Sequence, residues 1–246
     1  MKGVVGPPAA PFCYGEKTKL PRENLATPEV PHGETLTLVS HGRDFIIMLG
    51  RDELMGTRMQ FSEEQLAVLT LAELDTRKPR VLIGGYGMGF TYRAALENLP
   101  EGGSVTVAEI VPEILEWAEG PLAHLTGDCL SDPRGEVVIC DVAALIDDAN
   151  DGTTAKYDAI LLDVDNGPDG IVRDANFRIY SKTGLGKARD ALRKGGILAV
   201  WSAAPDHKFT MRLKESGFDV EVREVRARPN NKGPRHTIWF ARKRSA

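Results

Sequence analysis

The segment Gly85-Tyr86-Gly87-Met88-Gly89 places three glycines at alternate positions, directly after the apolar run Val81-Leu82-Ile83. Where a strand turns into a helix, backbone without side chains lets a ligand approach closely. Acids follow at the ends of three later apolar runs: Glu109 after "VTVA", Asp141 after "VVIC", and Asp163 with Asp165 after "AILL". In an open parallel sheet these ends share one edge, where ligands bind. A carboxylate at Glu109 can accept from both hydroxyls of a ribose, with Ile110 beside it. Asp141 can accept from the exocyclic amine of adenine while Val142 touches the ring, or it can cap the following helix. Asp163 and Asp165 can hold a cationic amine or take its proton, or they can serve a turn. The chemistry implied is that of a nucleoside whose reacting end faces two acids: a dinucleotide, or a sulfonium nucleoside of the S-adenosylmethionine type.

The surrounding pattern supplies elements to position these residues. From residue 80 onward strands and helices alternate. Strands are expected at Val81–Ile83, Ser104–Glu109, Glu136–Cys140, Ala159–Asp163 and Ile197–Trp201. Helices are expected at Thr91–Asn98, Pro112–Leu122, Val142–Ala149, 183–193 (closed by Gly195-Gly196) and Lys208–Ser216 (stopped by Gly217). Such alternation predicts an α/β fold, a parallel sheet covered on both faces with right-handed crossovers. "DVEVREVRA" and "HTIWFAR", joined by "RPNNKGP", predict a closing antiparallel hairpin. Upstream, Thr35–Ser40 and Asp44–Leu49 flank His41-Gly42-Arg43 as a small hairpin, and "SEEQLAVLTLAEL" predicts a helix with Ser62 at its N-cap. Three regions result: a Pro/Gly-rich leader over 1–33, expected extended or disordered; a hairpin and helix over 34–78; and a nucleoside-binding domain over 79–246.

Composition narrows the classes. The chain has 246 residues, 42% hydrophobic and 27% charged, with a net charge of −4, and therefore no overall pull toward nucleic acid or anionic membrane. No apolar stretch nears the ~20 residues of a membrane span, and the first residues lack a secretory core, so a cytoplasmic location is expected. The basic end (Arg226, Arg228, Lys232, Arg235, Arg242, Lys243, Arg244) fits a solvated strand pair. Cys13, Cys129 and Cys140 are expected to be reduced. His32, His41, His124, His207 and His236 are scattered without zinc-ligand spacing, and no metal is expected. The dinucleotide fingerprint needs its third glycine where Phe90 stands, which disfavours a nicotinamide enzyme. No G-x-S-x-G or cysteine with an adjacent base suggests nucleophilic catalysis.

From about residue 35 to 240 the sequence resembles the spermidine synthases, within the class I S-adenosylmethionine-dependent methyltransferase fold. The resemblance rests on "GYGMGF", "VAEIVPEILEWA", "CDVAALI", "YDAILLDVDNGP" and "IYSKTGLGKARDALRKGGILAV". It implies a Rossmann-like seven-stranded sheet, a small β-domain in front of it, and a homodimer. Two departures stand out. The loop acid of those enzymes, which helps hold the aminopropyl or amine group, falls at Met88. Their D-[ST]-[ST]-D-P becomes Asp163-Val164-Asp165-Asn166-Gly167. A Tyr-His-Glu segment of the family corresponds to Phe61–Glu64.

Read this way, the nucleoside half of the site is intact and the polyamine half rebuilt. Gly85, Gly87, Met88, Gly89, Glu109, Ile110, Asp141, Val142 and Asp163 are expected to bind S-adenosylmethionine, with Met88 against the sulfonium or an alkyl chain. Asp163 and Asp165 are the candidate catalytic acids. Glu63, Glu64, Tyr180 and Trp201 are candidate walls for a small amine or hydroxyl acceptor. Methyl or related alkyl transfer is the favoured reaction. Aminopropyl transfer from decarboxylated S-adenosylmethionine is the alternative, and a non-catalytic nucleoside-binding subunit is a further one. Glu109→Ala is expected to weaken nucleoside binding and leave the fold intact.

Overall fold

Alternate residues of the central strands face opposite cores, and this period of two builds the layers. Val81, Ile83, Ala159 and Leu161 enter one hydrophobic cluster; Leu82, Ile160 and Leu162 enter the other. Strands buried on both faces are near-continuous apolar runs, as "YDAILL" is, with all six residues buried. The structure is a computed structural model that describes residues 22–27, 35–164, 167–168 and 178–244.

The main sheet has seven strands in the order β10-β11-β9-β8-β5-β6-β7. These are β5 (Arg80–Gly84), β6 (Ser104–Glu109), β7 (Gly135–Ile139), β8 (Tyr157–Leu162), β9 (Leu192–Ser202), β10 (Phe218–Arg228) and β11 (Lys232–Lys243). Strands β7, β6, β5, β8 and β9 are parallel, and the hairpin β10–β11 adds antiparallel to β9. The hairpin turns through Asn230 and Asn231, both at positive φ, the backbone that two-residue turns between twisted strands need. Helices α1 (Phe61–Ala72), α2 (Phe90–Asn98) and α3 (Pro112–Glu119) cover one face of this sheet. Helices α5 (Val142–Asp151), α6 (Lys182–Ala191) and α7 (His207–Glu215) cover the other.

The N-terminal appendage is larger than the expected hairpin. Strands β1 (Glu23–Ala26), β2 (Leu36–His41), β3 (Asp44–Leu49) and β4 (Asp52–Gly56) form a separate four-stranded antiparallel sheet. β1 lies inside the expected leader and pairs with β2. Leu36, Leu38, Ile47 and Leu49 carry this sheet onto the core face of α1 and α2.

Other expectations need correction. The helix expected over 183–193 ends at Ala191, and Gly195-Gly196 lies within β9, where Gly195 has φ 73° and the pairing with β8 shifts. A glycine inside a strand marks such a bulge as readily as a helix end. The helix expected over Pro112–Leu122 stops at Glu119, with a short α4 (Ala123–Thr126) following. Ser62 is not an N-cap, because α1 already begins at Phe61. Its hydroxyl lies 2.7 Å from His236 Nδ1 and accepts from Trp201 Nε1 at 3.1 Å, tying α1 to β11 and β9.

Candidate active site

The carboxyl ends of β5, β6, β7 and β8 meet the N-terminal sheet around one cleft. From the main sheet it is lined by Gly85, Gly87, Glu109, Ile110, Asp141, Val142 and Asp163, among others. Leu36, Ile47, Leu54 and Met55 close it from the N-terminal sheet. Seven of the nine expected nucleoside contacts therefore share a wall.

The glycine loop answers to the protein's own packing before any ligand's. Gly85 has φ 90°, and a side chain there would collide with the carbonyl oxygen of Asp163. Gly89 has φ 78° and caps α2; a Cβ there would stand 2.7 Å from Thr126 and 2.8 Å from the Tyr86 hydroxyl. It does not line the cleft. Gly87 does, at φ 54°, and a Cβ on it would come within 2.5 Å of the Met55 terminal methyl. These backbones favour glycine with or without a ligand.

Met88 corrects the sequence reading most directly. Its side chain is 2% exposed, lies in the core cluster with Phe90 and Tyr92, and takes no part in the cleft wall. The alternation of loop residues turns it inward, so its apolar character reports packing and says nothing about the ligand.

Glu109 is buried and held by two backbone donors: Tyr86 N–H to Oε2 at 2.9 Å and Val111 N–H to Oε1 at 2.8 Å. One carboxylate thus pins the glycine loop to the end of β6. Each oxygen keeps a further lone pair for a ligand hydroxyl. Asp141 takes both roles proposed for it. Its Oδ1 accepts from Ala143 N–H at 2.9 Å as the N-cap of α5, and the residue also borders the cleft. Asp141→Ala is expected to cost about 1 kcal/mol of stability, as a lost N-cap does, measured as a lowered denaturation midpoint.

At the end of β8, the Thr91 hydroxyl donates to Asp163 Oδ2 at 2.5 Å and lies 3.2 Å from the carbonyl oxygen of Glu63. Burial pushes the Asp163 carboxyl up to about 6, against the pull of the Thr91 hydrogen bond. Glu63, in the first turn of α1, is 6% exposed. Burial, then the neighbouring Asp163, then Glu64 hold its carboxyl well above the ordinary range. The Thr91 hydroxyl thus stands between the Asp163 carboxylate and the main chain of α1.

The other expected wall residues lie elsewhere. Glu64 pairs with Arg93 on α2. Trp201 is 6% exposed, packed edge-on to His236 with ring centres 4.8 Å apart. Tyr180 is 1% exposed against Phe209 and donates to the carbonyl oxygen of Val164 at 3.3 Å, supporting the β8 loop from behind. Neither aromatic lines the cleft. Asp165 and Asn166 lie outside the described residues. Sequence reasoning missed the four residues of the N-terminal sheet, whose alternation marks a buried face without saying what it covers. Among the described residues no cluster of three or more His, Cys, Asp or Glu could hold a metal, and no helix is long and apolar enough to cross a membrane.

Comparison with known proteins places this geometry. No family model matches the chain. A polyamine aminopropyltransferase of Corynebacterium efficiens is 32% identical over 130 residues, 53% of this chain. The chain spans about a quarter of that relative's length, 24%. Spermidine synthase from Thermotoga maritima superimposes with a TM-score of 0.70 at 18% identity, over 89% of this chain and 72% of that one. A spermidine synthase in complex with the transition-state analogue AdoDATO gives 0.69 with the same identity and coverage. A probable spermidine synthase from Corynebacterium glutamicum gives 0.61 at 18% identity, over 89% and 79%. These relatives overturn the expectation of methyl transfer and favour its alternative. The chain is similar to spermidine synthases and shares their Rossmann-like α/β fold.

Proposed function

We propose that the chain transfers a 3-aminopropyl group from decarboxylated S-adenosylmethionine to a small amine. The observation that carries this reading is Asp163, its carboxyl raised by burial, at one end of a cleft whose other acids suit a nucleoside. Buried carboxylates favour a cationic ligand and disfavour a further anion. A donor that keeps its carboxylate would bring a further negative charge to that end, whereas the decarboxylated donor brings its ammonium without one. The names of the relatives support the same choice.

In the proposed reaction the neutral acceptor nitrogen attacks the propyl carbon bonded to the sulfonium. The new C–N bond forms as the C–S bond breaks, and its electron pair returns to sulfur, leaving neutral 5′-methylthioadenosine. The alkylated nitrogen then loses one proton, which Asp163 accepts and passes to solvent. The sulfonium is already activated, so the protein's task is alignment and proton removal. Glu109 holds the ribose, Asp141 and Val142 the adenine, and Asp163 the reacting end.

Calorimetric titration tests the reading. Decarboxylated S-adenosylmethionine is expected to bind more tightly than S-adenosylmethionine, and addition of a linear diamine to release methylthioadenosine. Tighter binding of the carboxylated donor, or binding without any release, would overturn it.

A further inference from the structure

Thr91, in the first turn of α2, meets two acceptors with one hydroxyl. It is 2% exposed, while its neighbours Phe90 and Tyr92 turn into the core cluster. The hydroxyl oxygen lies 2.5 Å from Asp163 Oδ2 and 3.2 Å from the main-chain oxygen of Glu63. A hydroxyl carries one proton, so only one of the two is served at a time. The shorter contact, to an ionised carboxylate, is also the stronger kind. The Glu63 oxygen loses little by this, because the winding of α1 already gives it the N–H of Ala67. The main chain of Asp163 is fixed as well. Its N–H donates to the Gly84 carbonyl at 3.0 Å, and its own carbonyl packs against Gly85 so closely that a side chain there would collide with it. Among the described residues no other hydrogen bond reaches the Asp163 carboxylate, and the residue lines the cleft.

We infer that Thr91 is a positioning residue for the proton transfer: its hydroxyl holds Asp163 by one oxygen and favours the ionised form, leaving the other oxygen for the proton of the alkylated nitrogen. The inference rests on the proposed aminopropyl reading. A hydrogen bond given to the charged form favours that form, and a neutral carboxyl accepts more weakly. Once Asp163 has taken a proton, the Thr91 hydroxyl can turn to the Glu63 carbonyl. The bond is therefore strong only while a base is needed. Burial works against it: desolvation pushes the Asp163 carboxyl up to about 6, and the Thr91 bond pulls it down. The charged groups around the site offer Asp163 no donor among the described residues. Glu63 on α1 is an acid whose carboxyl the Asp163 charge helps raise. Glu64 and Arg93 neutralise each other between α1 and α2. Glu109 and Asp141 line the cleft from the end of β6 and the start of α5. At their carboxyl ends β5 and β9 bring Gly84, Trp201 and Ser202, and His236 on β11 is engaged with Ser62.

Two measurements test this. Thr91→Val keeps the branched shape and removes the donor, and Thr91→Ser keeps the donor. Without the bond the ionised form is less favoured, so the acid limb of kcat/KM is expected to move up by about one pH unit or more. The ratio of kcat/KM in the valine variant to that in the unaltered chain should then be down about tenfold at pH 6 and back within about twofold at pH 8.5. Taking the ratio cancels the ionisation of the acceptor amine itself. The serine variant is expected to restore the profile of the unaltered chain. A ratio that stays flat with pH overturns the inference, and so does a serine variant that behaves as the valine one does. The second measurement uses the unaltered chain and needs neither folding of a variant nor turnover. In carbon-13 NMR the Thr91 methyl is expected to shift together with the Asp163 carboxyl, with a shared midpoint at about 6. A methyl indifferent to the Asp163 titration overturns the inference. Failure of the unaltered chain to release methylthioadenosine from the decarboxylated donor and a linear diamine would instead strike the functional reading, while the NMR titration would still report on Thr91.

Discussion

Asp163→Asn is expected to lower kcat by a factor of about 10² to 10⁴, the usual worth of a positioned proton acceptor, while methylthioadenosine binds as before. The amide matches the carboxylate in size, and its oxygen can still accept from the Thr91 hydroxyl, so the end of β8 keeps its shape. What disappears is the charge and the site for the departing proton. The same carboxyl sets a pH dependence. In the proposed reaction its ionised form is the active one, and burial raises its midpoint to about 6. kcat/KM is therefore expected to fall as pH drops through that region, and the variant to lose this limb. Steady-state kinetics between pH 5 and 8 give both results. A variant that retains full turnover would remove Asp163 from the mechanism.

Glu109→Ala is expected to cost both binding and stability, contrary to the sequence expectation that the fold would be untouched. The carboxylate accepts from two main-chain N–H groups, those of Tyr86 and Val111, and both residues are 4% exposed. Leaving each donor without a partner costs about 1–3 kcal/mol, so a loss of about 2–6 kcal/mol is expected for the pair. Nucleoside affinity should fall about a hundredfold, since the ribose acceptor vanishes and the glycine loop loses its anchor. Glu109→Gln keeps one oxygen acceptor and is expected to fall between. Denaturant titration and calorimetry on the three proteins separate the two effects. Alanine and native chains with equal midpoints would show that the loop is held by other means.

Much of this site was legible in the sequence, for identifiable reasons. Acids that end apolar strands must gather at one sheet edge, and Glu109, Asp141 and Asp163 do. Apolar runs between glycine and proline signals located every strand of the parallel sheet. The failures come from side-chain direction and from distant partners. Met88 and Gly89 sit in a motif, but a motif does not say which way each residue points. Tyr180 and Trp201 are large residues near strand ends, and packing claimed both. Ser62 had the type and place of a cap, yet its partners lie 139 and 174 residues away, on Trp201 and His236. Glu63 was one of two adjacent acids; only the fold shows that Arg93 neutralises its neighbour and leaves it alone.

The N-terminal sheet meets the glycine loop through Met55 and lends Leu36, Ile47 and Leu54 to the cleft. A nucleoside in that cleft touches both sheets and so binds the docked arrangement alone. By linkage its binding free energy adds to the docking free energy, and the local opening of residues 35–56 becomes rarer as ligand concentration rises. On the proposed reading, nucleoside affinity is therefore coupled to loosening of a sheet, and depends on the stability of the appendage as well as on contacts to the nucleoside itself.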